Sequence, residues 1–260
     1  SFVTALKKNW WVILILFILQ LAFVGLIGLI NVKYQVAIAE HMNTIINAVQ
    51  SANFDENAIN MGIPFVSDAG AVYAAIDGII SNLWKLVGYQ AAVCLTLGVF
   101  MWALTHYMFK KQNLMKLFAK LFARSLVFVL VMGGIIYLIL QKVFSSLAEA
   151  EQFSATSWVY LAAAVLIVGS YFMFVSLALG ELGFVSGLKK AFVVGVKKIH
   201  YILGMIIVGA VPAVAFGYLL FLSAGWAFSL LVLFSLLFIL SLMFFMIVMA
   251  AVGRRWCAGE

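Results

Sequence analysis

Apolar residues along this chain come in long runs, separated by short clusters of lysine, glycine and asparagine. Crossing a bilayer core as a helix takes roughly 20 apolar residues. Six stretches reach or approach that length, at 10–31, 86–107, 125–141, 158–180, 201–222 and 226–252. None alternates apolar with polar positions as a lipid-facing barrel strand must, and in hydrocarbon each backbone amide has to be satisfied within its own segment. The pattern predicts an all-α, polytopic bundle of six transmembrane helices, one domain over residues 1–260.

The longest polar interval, 32–85, carries a different periodicity. Ile38, Met42, Ile45, Ile46 and Val49 form one stripe beside Glu40, Asn43, Asn47 and Gln50, and Val72, Ile76, Ile79, Ile80 and Leu83 form a second beside Asp77, Ser81 and Lys85. Three-and-four spacing of this kind marks amphipathic helices. Between them "SANFDENAINMGIP" supplies turn residues, with Asp55 as a helix cap and Pro64 closing the loop. The first two spans are thus expected to continue as an α-hairpin outside the membrane. Packing on itself and on the bundle is its simpler role; gripping a partner through Ile38, Met42, Ile45, Phe54, Phe65, Ile76 and Ile80 is the functional one.

Three basic segments precede the first, third and fifth spans: "FVTALKKNWW", "LMKLFAKLFAR" and "FVSGLKKAFVVGVKKIH". "SFVTALKK" at 1–8 recurs as "GFVSGLKK" at 183–190. In the second segment Leu114, Leu117, Phe118, Leu121 and Phe122 oppose Asn113, Lys116, Lys120 and Arg124. In the third, Phe184, Leu188, Ala191, Phe192, Gly195 and Ile199 oppose Ser186, Lys189, Lys190 and Lys197. Segments of this type lie in the interface plane with their cations among the headgroups. Lipid-headgroup contacts are therefore expected from Lys7 and Lys8, from Lys116, Lys120 and Arg124, and from Glu181, Lys189, Lys190, Lys197 and Lys198.

Composition agrees with the pattern: 67% of residues are apolar and 10% charged, with a mean hydropathy of +1.18. Charge adds orientation. The basic residues fall at the N-terminus, in the loops before the third and fifth spans and in the tail with Arg254 and Arg255, leaving only Lys33, Lys85 and Lys142 on the other side. That other side holds every acid but Glu181 and Glu260. The positive-inside rule then puts both termini in the cytoplasm of a plasma-membrane protein. The net charge of +7 belongs to one face and points to anionic headgroups rather than nucleic acid. The first apolar run is too long for a signal h-region and lacks a cleavage site, so it reads as a permanent helix; loss of an initiator Met would explain Ser1. Cys94, within a span, and Cys257, in the tail, cannot form a disulfide or metal framework.

No Asp, Glu, Lys or Arg occupies the central turns of any span, where proton relays and ion-coupled carriers place an ionisable group. Gln20, Gln90, Thr96, Thr105, Ser170, Ser176, Ser235 and Ser241 are read as interhelical hydrogen-bonding residues. His106 and His200 near the basic side raise a haem or metal site between spans, but no third ligand is spaced to join them. Glu181 beside Lys189, Lys190 and His200 is the one acid–base grouping, and neither a nucleophile elbow nor a phosphate loop accompanies it. No cofactor, metal or catalytic residue is expected.

The order "E-x-G-x-x-x-G-L-K-K-x-F-x-x-x-x-K", from Glu181 to Lys197, resembles the interhelical segment of a broad group of prokaryotic six-helix membrane proteins. That group includes the membrane domain of some glycerophosphodiester phosphodiesterases. The resemblance covers about residues 180–218 and departs at Ala191, where the group has Ser. It implies a membrane module, since the hydrolytic chemistry of those proteins resides in a soluble domain with no counterpart here. The leading expectation is a non-catalytic module that binds lipid or a partner protein, or assembles with itself. The alternatives are a permease or channel-forming subunit and, third, a lipid-modifying enzyme.

Overall fold

A computed structural model describes residues 8–50, 69–148, 152–180, 182–222 and 228–258. The first basic segment through Lys7, the hairpin turn with Phe54, Asp55, Pro64 and Phe65, and Glu181 lie outside the described residues. Among those described there is no strand. The elements are α1 (Trp10–Gln50), α2 (Ala69–Val93), a π-helical turn (Cys94–Gly98), α3 (Val99–Phe109), α4 (Leu114–Ala148), α5 (Gln152–Ala178), α6 (Phe184–Lys197), α7 (Ile199–Leu222) and α8 (Phe228–Ala258).

Among the described residues six stretches are long and apolar enough to cross a membrane: Trp10–Gln50, Gly70–Phe109, Leu114–Val143, Thr156–Ala178, Ile199–Leu219 and Val232–Cys257. The chain is a multi-pass membrane protein. Where the helices differ from the expected spans, they are longer. α1 has 41 residues, roughly 60 Å at 1.5 Å per residue, about twice the hydrocarbon thickness of a bilayer. α4 begins at Leu114 rather than near Ser125 because no glycine or proline interrupts the chain before Gly133. Asn113 caps it, its Oδ1 accepting from the Lys116 backbone N–H at 3.1 Å. The "LMKLFAKLFAR" segment is thus the first turns of a spanning helix and not a separate interfacial piece. At the other end of the chain, Arg254, Arg255 and Cys257 belong to α8 instead of a tail.

The chain divides into two compact units, one made of Ala22–Cys94 and the other of the residues on either side. In the first, α1 and α2 pair through contacts that include the following. Gln90 Nε2 donates to Asn31 Oδ1 at 2.9 Å, Tyr34 stacks on Tyr89 with centroids 5.8 Å apart, and the His41 imidazole fills the space above Gly78, where an added Cβ would stand 2.5 Å from the ring. The apolar stripes are only partly used: Met42 and Ile76 are exposed and Ile38, Ile45 and Ile80 half-buried.

In the second unit the apolar core is not at mid-span. It gathers Val99, Trp102 and Ala103 of α3, Leu117 and Leu121 of α4, Val175 and Leu177 to Leu179 at the end of α5, Ala191 and Val194 of α6, Ile202 of α7, and Met249 and Ala250 of α8. These positions share the lysine-rich end. Elsewhere large apolar side chains such as Leu130, Ile167 and Val208 face outward, because acyl chains are as apolar as leucine and give no reason to bury it.

α6 and α7 are separate helices joined at Lys198, whose backbone leaves helical geometry at φ −112°, ψ 20°. α7 continues through Pro212 without interruption. Close by, Gly209 meets the Phe245 ring of α8 so closely that a side chain would overlap it.

Candidate functional site

The carboxyl end of α5 is the node of the second unit. Residues Val175 through Gly180 are buried in succession, and a helix end leaves its last carbonyls without intrahelical donors. In a buried location those oxygens must be met by side chains. Two neighbouring elements supply the donors, and two more pack closely against that end.

From α4, the Arg124 side chain is 1% exposed. Its Nη1 donates to Ser176 O and to Leu179 O, and its Nη2 to Gly180 O, each at 3.3 Å. Arg124 is therefore not among the headgroup-facing cations; its guanidinium is spent on a helix terminus. The guanidinium thus lies among carbonyl dipoles at the negative end of α5. Two polar atoms here, Arg124 Nε and Ser176 Oγ, have no hydrogen-bond partner among the described residues.

From α3, His106, fully buried, lies 2.8 Å through Nε2 from Leu177 O. A carbonyl only accepts, so Nε2 carries the proton. The ring also covers Gly180, where any side chain would overlap it. From α8, Gly253 approaches the Ala178 carbonyl, whose carbon would be 2.7 Å from an added Cβ. A fourth element, α6, makes room: Gly187 lies against the Arg124 guanidinium, with Cζ 2.9 Å and Cδ 3.1 Å from where a Cβ would be. One further buried amide follows the same rule. Asn9, ahead of α1, donates from Nδ2 to Met108 O at the end of α3, at 2.8 Å.

α6 itself has three faces. Gly187, Ala191, Val194 and Gly195 are buried, with Tyr171 of α5 donating to Gly195 O at 2.7 Å. Phe184, Val185, Phe192 and Val196 form an exposed apolar face, Phe192 touching the Phe172 ring at a centroid distance of 4.6 Å. Lys189 and Lys197 occupy the third, exposed face with Ser186.

Lys8, Lys116, Lys189, Lys197 and Lys198 are exposed, as headgroup contact requires, and Lys120 is half-buried. Lys190 is half-buried too, and its ammonium donates to Cys257 O at 3.2 Å, at the end of α8. Arg124 and Lys190 thus hold two helix ends in the same way. Two of the hydroxyls behave differently from expectation: Thr105 bonds Met101 O at 2.8 Å and Ser241 bonds Phe238 O at 2.7 Å, both within their own helices, as short hydroxyl side chains do when a backbone carbonyl lies one turn behind. Gln90, with a longer reach, does cross to its neighbour. His106 and His200 are not brought to one site, since His200 is exposed and packs on Tyr201 at 4.2 Å. Among the described residues no three His, Cys, Asp or Glu side chains are grouped to hold a metal.

No protein-family model, curated protein or solved structure matches the chain.

Proposed function

We propose that this protein is an integral membrane module whose lysine-rich end makes the functional contacts, binding anionic lipid headgroups and presenting a fixed surface to partners. The observation that supports this reading is α6: one face of small residues locked to the bundle, one apolar face left outward and one face of lysines. A helix built this way lies along the interface, its apolar side toward acyl chains and its cations toward phosphate. The buried Arg124, His106 and Asn9 hold helix ends at the same lysine-rich end.

On this reading the lysine-rich end is cytoplasmic, both termini lie on that side of a plasma membrane, and the α1–α2 hairpin projects from the opposite face. The hairpin's outward Met42 and Ile76 then offer a second surface, for a partner protein or a second copy.

The test is lipid retention by the purified full-length protein after detergent extraction, read by native mass spectrometry. Phosphatidylglycerol should be retained over phosphatidylcholine, and Lys189→Glu with Lys197→Glu should reduce that preference by at least fivefold, each basic residue near an anionic surface contributing about 1 kcal/mol. Equal retention of both lipids by the unaltered protein would sink the proposal.

A further inference from the structure

The apolar cleft between α7 and α8 adds a ligand class to that reading and rests on it. Its volume is about 720 Å3, and its walls are apolar: Gly204, Val208 and Phe216 on α7 face Leu237, Phe244 and Val248 on α8. Ser241, the one aliphatic hydroxyl in the lining, is already bonded within its helix. Both walls belong to helices long and apolar enough to cross a membrane, so the cleft opens into hydrocarbon and not into water.

Its two ends differ. At Phe216 and Leu237 it is wholly apolar; at the other end stand His200 and Tyr201, with Lys198 immediately before them and its ammonium 5.7 Å over the Tyr201 ring. Lys197 and Lys198 are exposed, and no carboxylate occurs among the described residues of this unit. From His200 to Phe216 the cleft follows α7 for roughly 24 Å, enough to hold the whole depth of one hydrocarbon leaflet, which is half of a core about 30 Å thick. An apolar channel of leaflet depth with cations at one mouth complements one amphiphile, an anionic phospholipid.

We propose that the α7–α8 cleft is a binding site for one acyl chain of an anionic phospholipid, whose phosphate is held at the mouth by Lys198 and His200. Gly204 makes the site selectively blockable. A Cβ there meets nothing within 4 Å, so a Phe at this position projects into open cleft without disturbing packing, and replacing Gly favours the helix. Gly133 of α4 also has open space around it and serves as the control for added aromatic bulk.

The experiment uses the full chain in detergent with phosphatidylglycerol carrying a photoactivatable acyl chain, the adducts being located by peptide mass spectrometry. Adducts are expected on α7 and α8 peptides lining the cleft. They should fall at least fivefold in Gly204→Phe, stay unchanged in Gly133→Phe, and weaken roughly fivefold in Lys198→Gln. Cleft labelling that persists in Gly204→Phe overturns the inference. Labelling confined to α6, with the preference for phosphatidylglycerol intact, overturns the cleft and leaves the lipid-contact reading standing. Absence of any preference over the phosphatidylcholine probe defeats both. A dimer that disappears in Gly204→Phe, with no cleft adducts, gives the cleft to a second copy and overturns it as well.

Discussion

Gly187→Ala should destabilise the protein when Arg124 is present and should not when it is gone. A methyl at Gly187 would overlap Arg124 Nη1 and stand 2.9 Å from Cζ, whereas ordinary contact begins at 3.4 Å, so the guanidinium must retreat by at least about 0.5 Å. Its bonds to Ser176 O and Leu179 O are already 3.3 Å long; stretched to ~3.8 Å they no longer count as hydrogen bonds. Losing two long, charge-assisted bonds costs about 2–3 kcal/mol, against about 1 kcal/mol gained by replacing a helical glycine. The net loss is about 1–2 kcal/mol. In Arg124→Met the thioether has no carbonyls to hold and yields its space, so the same Gly187→Ala step should be neutral or stabilising by up to ~1 kcal/mol. The assay is a double-mutant cycle on unfolding in detergent followed by far-ultraviolet circular dichroism. Equal, additive costs in both backgrounds would refute the claim that Gly187 exists to seat the guanidinium.

Gly253→Ala drives a methyl against the backbone of Ala178, which cannot rotate aside as a side chain can, so it should cost about 1–3 kcal/mol and lower the melting temperature whether or not Arg124 is present. Asn113→Ala removes the cap of α4 and should cost about 1 kcal/mol in the same melt, with Asn113→Asp largely retaining stability. Gln90→Leu and Asn31→Leu remove one bond between them; each should cost roughly 0.6 kcal/mol, and the double variant about as much as either one. A sum instead of a shared loss would show that the two amides do not work as a pair.

The spans were legible because lipid imposes the same demand on every residue of a crossing helix, so six apolar runs announce six helices. The α1–α2 pairing was legible in outline from its stripes, although its fixed points, Tyr34 on Tyr89 and His41 over Gly78, lie outside them. α6 was legible as a basic amphipathic helix with Phe184 and Phe192 on its apolar face, but the separate face of Gly187, Ala191 and Gly195 that docks it on the bundle was not. Large side chains read as core in water; at a membrane helix contact small ones let backbones approach and large ones turn to lipid. Arg124 was least legible. On its own helix it continues the Lys116 and Lys120 row, and only the gap at Gly187 and the bare end of α5 draw it inside. The signal in retrospect is glycine, at Gly180, Gly187 and Gly253, each beside a basic side chain or a helix end. The π turn at Cys94–Gly98 has no sequence mark we can name.

The account depends on all the lysine clusters sharing one membrane face, because the α6 interface and the charged mouth of the cleft both sit there. Single-cysteine labelling in intact cells, in a background with Cys94 and Cys257 replaced, tests that directly. Asp55→Cys should react with a membrane-impermeant maleimide from outside, and Lys111→Cys, in the exposed link between α3 and α4, only after permeabilisation. Labelling of both positions from the same side would contradict the account.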